Sequence, residues 1–242
     1  MNPSISAKNR LIFALDVPSQ KEAENYVRAL GDTVGWFKIG LELFIKEGPD
    51  VLKLVKQNSS ASIFLDLKLH DIPATVRSAL RSAATHGVRL ITVHGSDGAS
   101  ILQTANEVKD LGLEVLAVTV LTSVSEAELK VLGYEESLSL RQLVLDRAKV
   151  AKESGCAGVV CSGEEVALIK RECGKDFKAV VPGIRPLWAE VKKDDQSRIV
   201  TPKEAISGGA DLIVVGRPIR DAEEPRLAAL KIIDEMESTH IA

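Results

Sequence analysis

The chain has 242 residues, 45% of them hydrophobic and 27% charged, with a formal net charge of −3. This slightly acidic balance gives no electrostatic reason to expect nucleic acid or an anionic membrane surface as partner. No apolar run approaches the roughly 18 residues of a membrane-crossing helix, and the opening MNPSISAKNR lacks the apolar stretch of a secretory leader. Cys156, Cys161 and Cys173 are odd in number and lack the paired spacing of a structural zinc site. They are expected to be reduced, buried thiols in a cytoplasmic protein.

Short apolar, β-branched runs recur along the chain. LIFALDV (11–17), WFKIGL (36–41) and IFLDLKL (63–69) come first. The pattern then changes to helical spacing over Ile72–His86, where Val76, Ala79, Leu80, Ala83 and Ala84 share one face. LITVHG (90–95) and VLAVTVL (115–121) follow, and SEAELKVLG predicts a short helix after the fifth run. GVVCSG (158–163), KAVVPGI (178–184) and LIVVGR (212–217) complete the set. A helical pattern over Glu223–Glu237, with Leu227, Leu230 and Ile233, comes last. Eight strands alternating with helices, without a Pro-, Gly- or Ser-rich linker, predict an α/β fold with one parallel sheet. Eight is the number that closes a (β/α)8 barrel, here a single domain over residues 1–242. An open doubly wound sheet is the weaker reading, because no G-x-G-x-x-G follows the first strand.

The third strand carries charges that a buried strand does not need. Residues alternate faces, so Ile63, Leu65, Leu67 and Leu69 form one apolar side, while Phe64, Asp66 and Lys68 form the other. Burying charge is costly unless it is paired or used. Barrel active sites lie at the C-terminal ends of strands, and those ends hold Asp16, Lys38, Asp66, Lys68, His94, Thr122, Arg185 and Arg217. Each has a plain structural reading. Asp16 could terminate a strand, Asp71 could cap the helix that Pro73 opens, and a single His94 is more often a hydrogen-bonded structural residue than a ligand. As a set, Lys38, Asp66, Lys68 and Asp71 point to chemistry, since a packed barrel has little structural use for four charges at one mouth.

The last two strands add a second signal. GIRP (183–186), DQSRIVTP (195–202) and VVGRPI (214–219) occupy the loops with which such barrels bind phosphate. Gly216 lets backbone approach a ligand, Arg217 can grip phosphate oxygens bidentately, and Gln196 can donate through its amide. A phosphorylated substrate is expected.

ALDV (14–17), FKIG (37–40), FLDLKLHDIPATV (64–76), VTVLTS (118–123), PGIRP (182–186), DQSRIVTP and VVGRPI together resemble the orotidine 5′-phosphate decarboxylase family, in its order and along nearly the whole chain. The D-x-K-x-x-D core alone is shared with a related sugar-phosphate decarboxylase family, whereas the longer LDLKLHDIP string is specific. One departure stands out: VVPGIRPLWA lacks the Thr before Pro-Gly and the small residue after GIRP common in that family. The resemblance implies decarboxylation of orotidine 5′-phosphate to UMP, without metal or other cofactor, by a homodimer. It implies a charged array of Lys38, Asp66, Lys68 and Asp71, with Asp71 and Thr75 supplied to the site of the partner subunit. Asp16 and Lys38 would bind ribose hydroxyls, Lys38 also orienting Asp66, and Thr122 the pyrimidine. Arg185, Gln196, Gly216 and Arg217 would hold the phosphate.

The implied chemistry needs such an array. Loss of CO2 from C6 of the pyrimidine leaves an in-plane carbanion with no adjacent electron sink. Lys68 would supply a fixed cation and the proton to quench it. A metal-dependent sugar-phosphate enzyme is disfavoured, because Lys38 and Lys68 stand where ligands would be needed and His94 is the only strand-end histidine. A non-catalytic phosphate sensor would not need Lys68 with both Asp neighbours.

Overall fold

Eight parallel strands close into a barrel in chain order. They are β1 (Leu11–Ala14), β2 (Trp36–Ile39), β3 (Ser62–Leu69), β4 (Leu90–His94), β5 (Glu114–Val118), β6 (Gly158–Val160), β7 (Lys178–Val181) and β8 (Leu212–Val215). The computed structural model describes residues 6–135, 137–189 and 198–238. β8 returns to β1 through Leu11↔Ile213, which leaves the sheet without an open edge. The (β/α)8 architecture expected from the alternation is the one observed.

The alternation of side chains divides the core in two. Ile12, Ala14, Phe64, Leu90, Leu116, Val180, Leu212 and Val214 fill the barrel interior. Their neighbours Leu11, Phe13, Phe37, Ile63, Leu65, Ile91, Val93, Ile213 and Val215 belong to the outer cluster, packed against helices. The helices that matter below are α1 (Gln20–Leu30), α2 (Asp50–Asn58), α3 (Pro73–Thr85), α4 (Glu126–Val131), α5 (Leu140–Glu153), α6 (Val166–Cys173), α7 (Pro202–Ser207), α8 (Arg217–Arg220) and α9 (Pro225–Glu237). α1 shows how they attach: Ala23, Val27 and Leu30 recur at helical spacing and are wholly buried. Burial of Val27 and Leu30 contributes about 1.5–3 kcal/mol each as an upper estimate.

Local chemistry sets the helix ends. Ser19 accepts from the Glu22 N–H at the start of α1, and Thr201 forms a capping box with Glu204 at the start of α7. α3 begins at Pro73 rather than at Ile72, because a residue before proline is pushed out of the helical region; Ile72 sits at φ −58°, ψ 152°. α9 likewise begins at Pro225, two residues later than the apolar spacing predicts. All strands but β3 stop short of the ends of their apolar runs. β1 ends at Ala14 and β5 at Val118, so Asp16 and Thr122 lie in the loops that form the barrel mouth.

Candidate active site

Those loops surround a cavity of about 590 Å³, a volume suited to a small-molecule ligand. Asp16, Lys38, Asp66, Lys68, Thr122, Arg185, Gly216 and Arg217 all line it. Across β1, β2 and β3 the charges alternate in sign. Lys38 Nζ donates to Asp16 Oδ1 at 2.8 Å and lies 3.8 Å from Asp66 Oδ2. Lys68 Nζ donates to both Asp66 oxygens at 3.0 Å. The register explains the order: Ala14 pairs with Lys38 and Lys38 with Phe64, which puts Lys38 between the end of β1 and Asp66. Lys38 and Asp66 keep only 11% and 14% of their side chains exposed, so the desolvation cost is offset by pairing. Gly40 leaves room for this, since a Cβ there would come within 3.0 Å of Asp16 Oδ1 and 3.1 Å of Lys38 Nζ.

β3 is irregular where its charges begin. Leu65 pairs with Ile91 but Leu69 pairs with Val93, four residue steps against two. Within this bulge Lys68 has φ +49°, a left-handed backbone unusual for a residue with a Cβ. The Lys68 N–H donates to Thr92 Oγ1 at 2.9 Å, and the Thr92 hydroxyl donates to Asp66 Oδ1 at 2.9 Å. Thr92 lay outside the sequence reading, because nothing in a β-branched strand residue announces such a contact.

Beside the bulge, His70 Nδ1 bonds the buried carboxylate of Asp97, and His94 Nδ1 lies 2.5 Å from Ser96 Oγ. Burial lowers His94 below the usual imidazole range, which favours its neutral form. All three cysteines are buried and free. Burial pushes the Cys156 thiol up to about 12 and Cys161 higher still, which makes them inert packing groups.

On the β7–β8 side, Arg185 is fixed by its N–H to Val200 O at 2.9 Å and by Nη1 to Ile184 O at 2.9 Å. Arg217 opens α8. A Cβ on Gly216 would meet only Ala14 Cβ at 3.5 Å, an ordinary contact, so packing alone does not require glycine there. Arg220 was not foreseen, although its spacing three residues after Arg217 was a signal. It lines the cavity and donates from Nη1 to Asp16 O at 2.9 Å. Buried Arg198 pairs with Glu165 and donates to Leu121 O at 3.3 Å, tying this side to the loop that carries Thr122. Gln196 lies outside the described residues. The departing segment after GIRP places Trp188 under the Lys231 ammonium of α9, 5.4 Å from the ring centroid, and neither Leu187 nor Trp188 lines the cavity.

Asp71 and Thr75 behave differently from the rest of the set. Both are exposed and neither lines the cavity of its own chain. Asp71 Oδ1 accepts from the Ile72 N–H at 2.6 Å, while Ile72 itself occupies the N-cap of α3 and makes no side-chain cap bond.

Residues 9–232 match the family described as orotidine 5′-phosphate decarboxylase / HUMPS. An orotidine 5′-phosphate decarboxylase of Desulfosudis oleivorans is 47% identical over 237 residues, covering 97% of this chain and 95% of the relative. That of Syntrophotalea carbinolica is 44% identical, covering 96% of both. The crystal structure of orotidine 5′-phosphate decarboxylase from Lactobacillus acidophilus superposes with a TM-score of 0.81 at 37% identity, covering 93% of this chain and 98% of that one. With sequence, fold and the D-x-K-x-x-D strand end agreeing along nearly its full length, the chain belongs to the orotidine 5′-phosphate decarboxylase / HUMPS family.

Proposed function

We propose that Lys68 stabilises and protonates the C6 carbanion when this chain decarboxylates orotidine 5′-phosphate to UMP, the step of pyrimidine biosynthesis that its relatives are named for. The observation that carries this is the Lys68 ammonium, held by Asp66 at 3.0 Å at the mouth of the barrel, in a cavity also lined by Arg185, Arg217 and Arg220 from the β7–β8 side. Loss of CO2 leaves an electron pair on C6. A fixed ammonium stabilises it as it forms, then gives up a proton to it, so no external electron sink is needed. Asp66 holds that ammonium and would also crowd the departing carboxylate. Two like charges about 4 Å apart repel by roughly 4 kcal/mol at an effective dielectric near 20. That ground-state contribution ranks below stabilisation of the carbanion, because only interactions stronger in the transition state accelerate the step.

Arg185 and Arg217 hold the phosphate, with Gly216 admitting it close to backbone and Gln196 adding an amide. β3 and β7 stand on opposite sides of an eight-stranded barrel, so a phosphate held by Arg185 would lie across the mouth from Lys68 and the reacting carbon. The phosphate thereby contributes binding energy remote from the chemistry. Asp16 and Lys38 take the ribose hydroxyls, and Thr122 the pyrimidine edge. Two ammonium groups stand where a metal-using site would place ligands, which supports a reaction without cofactor.

The working unit is a homodimer in which Asp71 and Thr75 enter the partner's site. Their exposure, and their absence from the lining of their own cavity, support this reading. So do Leu41, Ile45 and Ile72, apolar side chains 49%, 78% and 65% exposed on the loops and helices that follow β2 and β3. No helix among the described residues is long and apolar enough to cross a membrane, and three free cysteines suit the cytoplasm.

Subunit mixing tests the lysine and the shared site together. Lys68→Ala and Asp71→Ala homodimers should each be nearly inactive. Random exchange makes about half the dimers mixed, and one of the two sites in each carries neither lesion, so about a quarter of wild-type activity should return. Exchange verified by mass with no recovered activity would reject the shared site.

A further inference from the structure

We propose that Thr92 is a positioning residue for the decarboxylation, its hydroxyl clamping Asp66 and the Lys68 backbone in the geometry that aims the ammonium into the cavity. The inference rests on the assignment of Lys68 to the carbanion. Thr92 has no exposed surface and sits on β4 two residues beyond Leu90, on the same inward face. A hydroxyl offers one proton and two lone pairs. Here the proton goes to Asp66 Oδ1 and a lone pair receives the Lys68 N–H, both at 2.9 Å. An apolar side chain of the same shape can copy neither bond.

The bulge explains why a side chain is needed. In a regular parallel ladder the Lys68 N–H would donate to a backbone carbonyl of its neighbour strand. The shift between Leu65 and Leu69 takes that N–H out of register, and Thr92 supplies the acceptor instead. A left-handed backbone on a residue with a Cβ persists only where its surroundings over-determine it. For Lys68 those surroundings are the Thr92 bond at the backbone and the Asp66 bonds at Nζ, and Asp66 is itself held by Thr92. One hydroxyl therefore fixes both ends of the catalytic lysine. Without it that N–H loses its acceptor and β3 is drawn toward the regular ladder, turning the lysine side chain away from C6.

The test uses the full-length protein and the variants Thr92→Val, Thr92→Ser and Thr92→Ala, reading turnover of orotidine 5′-phosphate and equilibrium binding of UMP. Thr92→Val should lower kcat by about 10- to 100-fold, the loss of hydrogen bonds to a charged pair, with KM and UMP affinity within about threefold. Thr92→Ser should retain kcat within about threefold of wild type, because it keeps the hydroxyl. A valine variant with wild-type kcat would overturn the proposal. So would a serine variant as impaired as valine, since shape rather than the hydroxyl would then matter. Should Thr92→Val fail to fold, the Ser and Ala variants carry the same comparison, and equal kcat in those two overturns it. Wild-type protein without turnover would instead reject the assignment of Lys68, and is seen before any variant is made.

Discussion

Two lysines, each bonded to an aspartate, stand at opposite ends of this barrel and do opposite things. Lys170 of α6 donates to Lys175 O at 2.9 Å, to Phe177 O at 2.8 Å and to Asp211 Oδ2 at 2.5 Å. Three donors meet three acceptors, and Asp211 also takes the Ala179 N–H at 2.7 Å, closing the network where β7 and β8 begin. The Lys68 ammonium at the other end donates only to the Asp66 carboxylate among the described residues, and the residue sits on a left-handed backbone. The closed pair ties strands together and has nothing left to offer a ligand. The open pair keeps donor capacity toward the cavity and is held in a conformation that the local sequence does not favour. Incomplete satisfaction plus strain, rather than charge itself, distinguishes the end proposed to carry the chemistry.

Exchanging the two lysines for alanine should break the comparison most visibly. Lys68→Ala removes the proposed cation and proton source, so kcat should fall at least about 10⁴-fold while the melting temperature changes little. Lys170→Ala should do the reverse, costing about 1–3 kcal/mol of stability with kcat preserved. Thermal melts and steady-state kinetics on both variants decide the matter, and an equal loss of kcat in the two would end the distinction. Arg217→Ala should come next, raising KM by roughly 10- to 100-fold through loss of the proposed charge-assisted phosphate contact. For a substrate analogue lacking phosphate the same change should matter far less. The smallest effect is expected at the thiols. Burial holds Cys156 and Cys161 protonated far above pH 8, so iodoacetamide at that pH should label the native protein slowly and the unfolded protein readily.

The sequence made the barrel and most of the mouth legible for a physical reason: both depend on short-range periodicity. Ile63 and Leu65 face outward and Phe64 inward as alternation requires, and each of the eight apolar runs overlaps a strand, β3 and β5 starting one residue early. Proline chemistry moved the starts of α3 and α9 by one and two residues. What alternation does not see is a bulge. It counts Asp66, Leu67 and Lys68 as regular positions, whereas the register between Leu65 and Leu69 has already slipped. Thr92 was missed because its partners lie 26 and 24 residues away, and only the closed sheet brings them together. Arg220 and the Asp97–His70 pair were missed likewise, being contacts of tertiary structure at loop residues. Asp71 had a plain reading as a helix cap, but Ile72 took that position and left the carboxylate exposed at the rim.

The most direct test of the account is turnover by the purified protein after exhaustive chelation. Incubated in EDTA with orotidine 5′-phosphate, it should form UMP at the same rate as untreated protein, because in the proposed mechanism Lys68 would supply both the charge and the proton that the carbanion needs. No UMP, or a rate that EDTA abolishes and added Mg2+ or Zn2+ restores, would contradict it.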